Sequence, residues 1–78
     1  MIPDVGPLLA ALERLQLSVA DLWLDYFALG GRLDAVGLRA YLHGDGRTSL
    51  ADHDAIVQAL NEVFGDRGQD HPLSYAMA

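Results

Sequence analysis

Three histidines, His43, His53 and His71, are the side chains whose ordinary titration range lies near neutral pH, and they fall in separate segments of the chain. His53 stands four residues before Val57 and seven before Leu60, on the apolar stripe of a helical segment, so it reads as a packed or rim histidine. No histidine or acid occupies its i+4 position, which is where a helix would have to supply a second metal ligand. Ser49, Asp52 and His53 together suggest a nucleophile, acid and base. On one helix, however, they splay to different azimuths and do not converge on a substrate. The Asp45 segment has the start of a calcium loop, but Arg47 falls where an oxygen ligand belongs and Ile56 takes the place of the closing glutamate. No catalytic residue, metal or cofactor is therefore expected, and the chain is not read as an enzyme.

Composition narrows the chemistry further. The 78 residues hold no cysteine and no lysine, which removes thiol nucleophiles, thiolate zinc sites, Schiff-base chemistry and the lysine of a phosphate-binding loop. Eleven acids against five arginines give a net charge of −6, a field that repels phosphate backbones and anionic lipid heads. Neither nucleic acid nor membrane is an expected partner. Arg14 is the first cation, so no basic segment precedes an apolar leader, and no uncharged run approaches the ~20 residues that span a bilayer. The expected compartment is cytoplasmic.

The elements that must position these residues are helical. Apolar spacings of three and four recur along the chain and strand-like alternation is nearly absent, so the fold class is all-α, a small bundle of four short helices in one domain. Residues 1–6 read as a lead and 69–78 as an extended tail, with Leu73 and Tyr75 available to fold back on the helices. Pro7 suits the first turn of a first helix carrying Leu8, Leu9, Leu12 and Leu15. Ser18 followed by Asp21 is a serine-x-x-acid start for a second helix to Leu29, ended by Gly30-Gly31. The alternative is one continuous helix over residues 7–29, because Val5, Leu8, Leu12, Leu15, Val19, Leu22, Tyr26 and Leu29 also fit an unbroken heptad series. Asp34 caps a third helix through Leu42, with Leu33 and Leu38 placed as a hydrophobic staple. Ser49 and Asp52 repeat the start signal for a fourth helix to Phe64, closed by Gly65 and Gly68. Its buried stripe is Leu50, Ile56, Val57, Leu60, Val63 and Phe64, while Asp52, Asp54, Gln58 and Glu62 lie away from much of it.

One feature exceeds what folding needs. Stepping around the second helix from Val19, its apolar residues cover roughly 220° of arc, about twice what an ordinary surface helix buries. Either this is the central helix, wrapped by the other three, or part of its perimeter is left as a contact surface. The contact candidates are Trp23, Leu24 and Phe27, with Asp21 and Asp25 as an acidic rim suited to a basic partner. The functional expectation is a protein-interaction or regulatory adaptor domain that binds a protein partner or forms a homodimer.

Two other classes are weighed against it. A DNA-binding regulator built as a helix-turn-helix needs a short turn and a cationic reading helix. Here His43 to Thr48 separates the third and fourth helices, and the segment Ser49 to Phe64 contains no arginine. DNA contact would rest on Arg47 and Arg67. Thr48-Ser49-Leu50 followed by Ile56-Val57-Gln58-Ala59-Leu60-Asn61-Glu62-Val63-Phe64 resembles the attachment serine and second helix of acyl or peptidyl carrier proteins. That resemblance implies Ser49 as a phosphopantetheine site. It departs from the family where Thr48 replaces the usual aspartate and where too few residues follow Phe64 to form the later helices. Capping alone also accounts for Ser49. Finally, Trp23-x-x-Tyr26-x-Ala28-Leu29-Gly30-Gly31, Tyr41-Leu42-His43-Gly44 and Ala59-Leu60-Asn61-Glu62 resemble small helical proteins of actinobacteria, a likeness that carries over no functional residue.

Overall fold

Local capping chemistry starts three of the four helices. In the computed structural model, which describes residues 5–69 and residue 73, the elements are α1 (Gly6–Leu15), α2 (Val19–Ala28), α3 (Ala35–Leu42) and α4 (Leu50–Asp66), with no strand among the described residues. Ser18 Oγ accepts the Asp21 N–H at 3.1 Å, Asp34 Oδ1 accepts the Gly37 N–H at 2.7 Å, and Ser49 Oγ accepts the Asp52 N–H at 3.1 Å. Each bond satisfies one of the amide donors that a helix start leaves without a partner. α1 has no side-chain cap and begins instead with Pro7 in its first turn, where a missing N–H costs nothing.

The four C-termini share one closure. In each, a residue with positive φ donates to the carbonyl three before it and the next residue donates to the carbonyl five before it, the Schellman arrangement. Glycine takes the positive-φ position after α2, α3 and α4. After α1 it is Gln16, at φ 54° and ψ 40°. This overturns the continuous-helix alternative for residues 7–29. Gln16 N–H bonds Glu13 O at 3.1 Å and Leu17 N–H bonds Leu12 O at 3.0 Å, which turns the chain out of α1, and Ser18 then caps α2. The heptad series continues across the break because both helices face the same core.

α4, and not α2, contributes the most buried positions to the core. It packs against both α1 and α2, while α3 packs against α2 and α1. α4 buries Ile56, Val57, Ala59, Leu60 and Phe64 together with the polar Asp52, His53 and Asn61, whereas α2 fully buries only Leu22 and Tyr26. The reason is length: 17 residues give α4 nearly five turns, against ten residues in α2, and so more positions on its inward side. Three expectations for this helix are corrected. Leu50 is exposed instead of lying in the buried stripe, Gly65 is inside the helix, which runs on to Asp66, and Asp52 points inward. Leu73 returns to the core as expected, while His71, Pro72 and Tyr75 lie outside the described residues. No helix among the described residues is long and apolar enough to cross a membrane.

Candidate functional site

The outer face of α2 is built on a lock beneath it. Tyr26 lies on the inner face, and its hydroxyl donates to Asp52 Oδ1 at 2.9 Å while accepting the Leu33 N–H at 2.9 Å. Asp52 also takes the Arg32 N–H on Oδ1 at 3.0 Å and the Ser49 hydroxyl on Oδ2 at 3.0 Å. One buried carboxylate thus ties α2, the α2–α3 connection and the start of α4 together. Burial by itself would raise its pKa, but hydrogen bonds from the Arg32 amide, Tyr26, Ser49 and Thr48 outweigh that and hold it below the ordinary aspartate value. The same burial, with Asp52 beside it, raises the Tyr26 phenol, which keeps its proton and goes on donating.

This lock fixes what α2 presents outward. Trp23 is half-buried, its indole Nε1–H donates to Leu33 O at 2.9 Å, and its ring stacks on Phe27 with centroids 4.9 Å apart and planes 22° from parallel. Phe27 is 57% exposed and Leu24 61% exposed, and Asp21 and Asp25 are exposed on the same helix. Across a groove of about 290 Å³ lined by Val19, Ala20, Ala35, Val36 and Arg39, the strip continues onto α3, where Val36 is 77% exposed. An adjoining groove of about 330 Å³ shares Val36 and Arg39 and runs on to Ala40, His43 and Asp45.

The structure therefore brings four of the five candidate residues, Leu24, Phe27, Asp21 and Asp25, to one exposed helix face, and holds Trp23 at its edge. Sequence reasoning missed Val36, since nothing in a short third helix marks one valine as outward. The exposure of Leu24 and Phe27 was legible in the sequence because an apolar perimeter wider than any contact must leave part of itself uncovered.

The other chemistry-bearing residues are occupied in the fold. Ser49 Oγ accepts from the Asp52 amide and donates to the Asp52 carboxylate, the geometry of a cap. His53 is buried in α4 and shares a 2.6 Å hydrogen bond from Nδ1 to the Tyr41 hydroxyl, with the two rings edge to face. Burial pushes the His53 pKa down, against the pull of the Asp54 charge, and pushes the Tyr41 phenol up, with Asp54 adding to that shift. His43 is exposed and bonds the Arg39 carbonyl through Nδ1 at 2.8 Å. Among the described residues no group of three or more His, Cys, Asp or Glu side chains is placed to hold a metal ion.

Comparison with known proteins finds no matching family model and no significant match among curated proteins or solved structures.

Proposed function

We propose that this domain is a protein-interaction module whose docking face is the outer side of α2, extended across the α2/α3 groove to Val36. The observation that carries the reading is the run of exposed Leu24, Phe27 and Val36 over a core that is already complete without them. Single exposed apolar residues on a small protein mean little, but here Phe27 is stacked on Trp23, and Ala20 and Val36 line one groove. A rigid scaffold under an exposed aromatic and aliphatic strip limits the side-chain entropy lost on docking. The groove itself has Arg39 as its one ionisable lining residue, which suits packing better than catalysis.

Charge selects the occupant. Asp21 and Asp25 flank the strip on one side of α2. If two copies paired through antiparallel α2 helices, each acidic flank would face its own equivalent, and two chains of net charge −6 would be brought together. A heterologous partner with an apolar helical stripe and a basic flank avoids that repulsion. The DNA-binding alternative has less support: α4 buries most of its turns in the core, and the arginines nearest it, Arg47 and Arg67, lie beyond its two ends.

The test uses the full chain and the variants Leu24→Glu and Phe27→Glu. Both should fold as the wild type, and light scattering should give a monomer at all concentrations. Partners captured by the wild type, then identified and purified, should lose at least tenfold in affinity with either variant and bind more weakly as salt rises. Equal binding by both variants would refute the docking face. A mass that doubles with concentration and reverts in Leu24→Glu would assign the face to a second copy instead.

A further inference from the structure

The docking face is charged unevenly from its α2 side to its α3 side. On α3, Val36, Arg39, Ala40 and His43 recur at spacings of three and four and line one side of the helix, and Val36 and Arg39 belong to both grooves. Arg39 and His43 are exposed. The His43 Nδ1 lies 2.8 Å from the Arg39 carbonyl, and since a carbonyl only accepts, the ring donates there and stands against the end of α3. Asp45 lines only the outer groove, which leaves Arg39 as the one ionisable residue lining the α2/α3 groove. On α2 the sign is opposite. Val19 and Ala20 line that groove, while Asp21 and Asp25 stand about 100° and about 140° further round the helix than Ala20, on the side away from α3. Exposed Leu24 separates these acids from the groove, and exposed Val36 stands beside Arg39.

We propose that Arg39 sets the direction in which a partner helix lies on this face, by pairing with a carboxylate on the flank that covers α3 while the opposite, basic flank reaches across Leu24 to Asp21 and Asp25. The inference rests on the α2/α3 docking face and adds the partner's second flank and its polarity. A guanidinium beside an apolar groove loses water when the groove is covered, and an uncompensated charge there weakens binding. A partner flank that supplies an acid is therefore selected over one that supplies a base. Turning an amphipathic helix end for end on its seat exchanges its two flanks. Only one direction then places acid on Arg39 and base on Asp21 and Asp25, so a partner whose apolar stripe fits both ways is held one way by charge. Arg39 also lies in the last turn of α3, where the helix dipole favours a cation. That stabilising role is blind to the charge of a partner, which separates the two in the test.

The experiment uses the isotope-labelled full chain and two designed helical peptides with the same leucine stripe. The split peptide carries lysines along one flank and glutamates along the other, and the second carries lysines along both. Both should shift the Ala20, Leu24 and Val36 signals of the wild type, and neither should shift Ala20 or Val36 in Leu24→Glu. In Arg39→Glu, with folding checked by circular dichroism, the preference for the split peptide should fall by about tenfold relative to the wild type, one ion pair being lost and one repulsion gained. Arg39→Gln, which cannot repel, should give a smaller fall in the same direction. Arg14→Glu, the same change of charge on α1, should leave the preference unchanged, which removes the general attraction of lysine for a chain of net charge −6. A spin label at the N-terminus of the split peptide should broaden signals at one end of α2, and at the other end once the peptide's flanks are exchanged. A preference unchanged in both Arg39 variants, one that falls equally in Arg14→Glu, or a label that broadens both ends of α2 alike would overturn the role of Arg39 and leave the docking face standing. Peptides that shift no signal of α2 or α3, or shift them equally in Leu24→Glu, would overturn the docking face as well.

Discussion

Replacing Tyr26 with Phe removes one oxygen from the interior and tests whether the Asp52 lock holds α2 in place. The hydroxyl makes two hydrogen bonds, one donated to the Asp52 carboxylate and one accepted from the Leu33 amide. A hydrogen bond to a charged group contributes about 1.5–3 kcal/mol, and leaving the half-buried Leu33 N–H without its acceptor adds about 1 kcal/mol, the low end of the range because water reaches it in part. The expected loss is about 3 kcal/mol. A domain of this size has a total stability of only about 4–12 kcal/mol, so its melting temperature should fall by more than about 10 °C. Urea unfolding followed by the fluorescence of Trp23, which bonds the same connection at Leu33, reads the change directly.

Acid unfolding supplies the control. The Asp52 pKa is lowered in the folded state, so its contribution is present above the ordinary value of 3.8 and is lost as pH falls through the folded value. Tyr26→Phe should shrink that acid-sensitive component, and Asp52→Asn, which keeps the shape and removes the charge, should abolish it. A loss below about 1 kcal/mol in Tyr26→Phe, with an unchanged acid limb, would refute the view that this network fixes the docking face.

Three further outcomes follow from the same packing. Gly31→Ala should destabilise by about 2–4 kcal/mol in urea unfolding, because a Cβ there would land on the buried Tyr26 ring. Gln16→Gly should stabilise by about 1 kcal/mol in thermal melts, since glycine adopts the left-handed conformation at this closure without the steric cost that glutamine bears. His53 is held neutral by burial, with its pKa below the ordinary 6.5, so its contribution is full above pH 6.5 and is lost as pH falls toward the folded value. An imidazole titration by NMR should therefore show His53 protonating only below pH 6.5, and His53→Gln should lessen the stability lost between pH 7 and 5.

What the sequence by itself determined about this protein is what physics settles within a few residues. Ser18, Asp34 and Ser49 cap the helices they precede because the donors they satisfy lie three residues away, and the excess apolar arc of α2 predicts that some of it is left outside. Only the tertiary structure decided the partners of polar groups that are distant in the chain. Asp52 sits in the first turn of α4, where its sequence surroundings read as solvated, yet Tyr26 and the Arg32 amide draw it inside from 26 and 20 residues away. Asn61 finds Leu73 in the same manner. A buried polar group goes where its hydrogen bonds can be completed, and that place exists only once the helices have packed. The packing of the four helices also gave α4 the most buried positions and left Leu24, Phe27 and Val36 facing outward, a choice among packings that no single helix carries in its own letters.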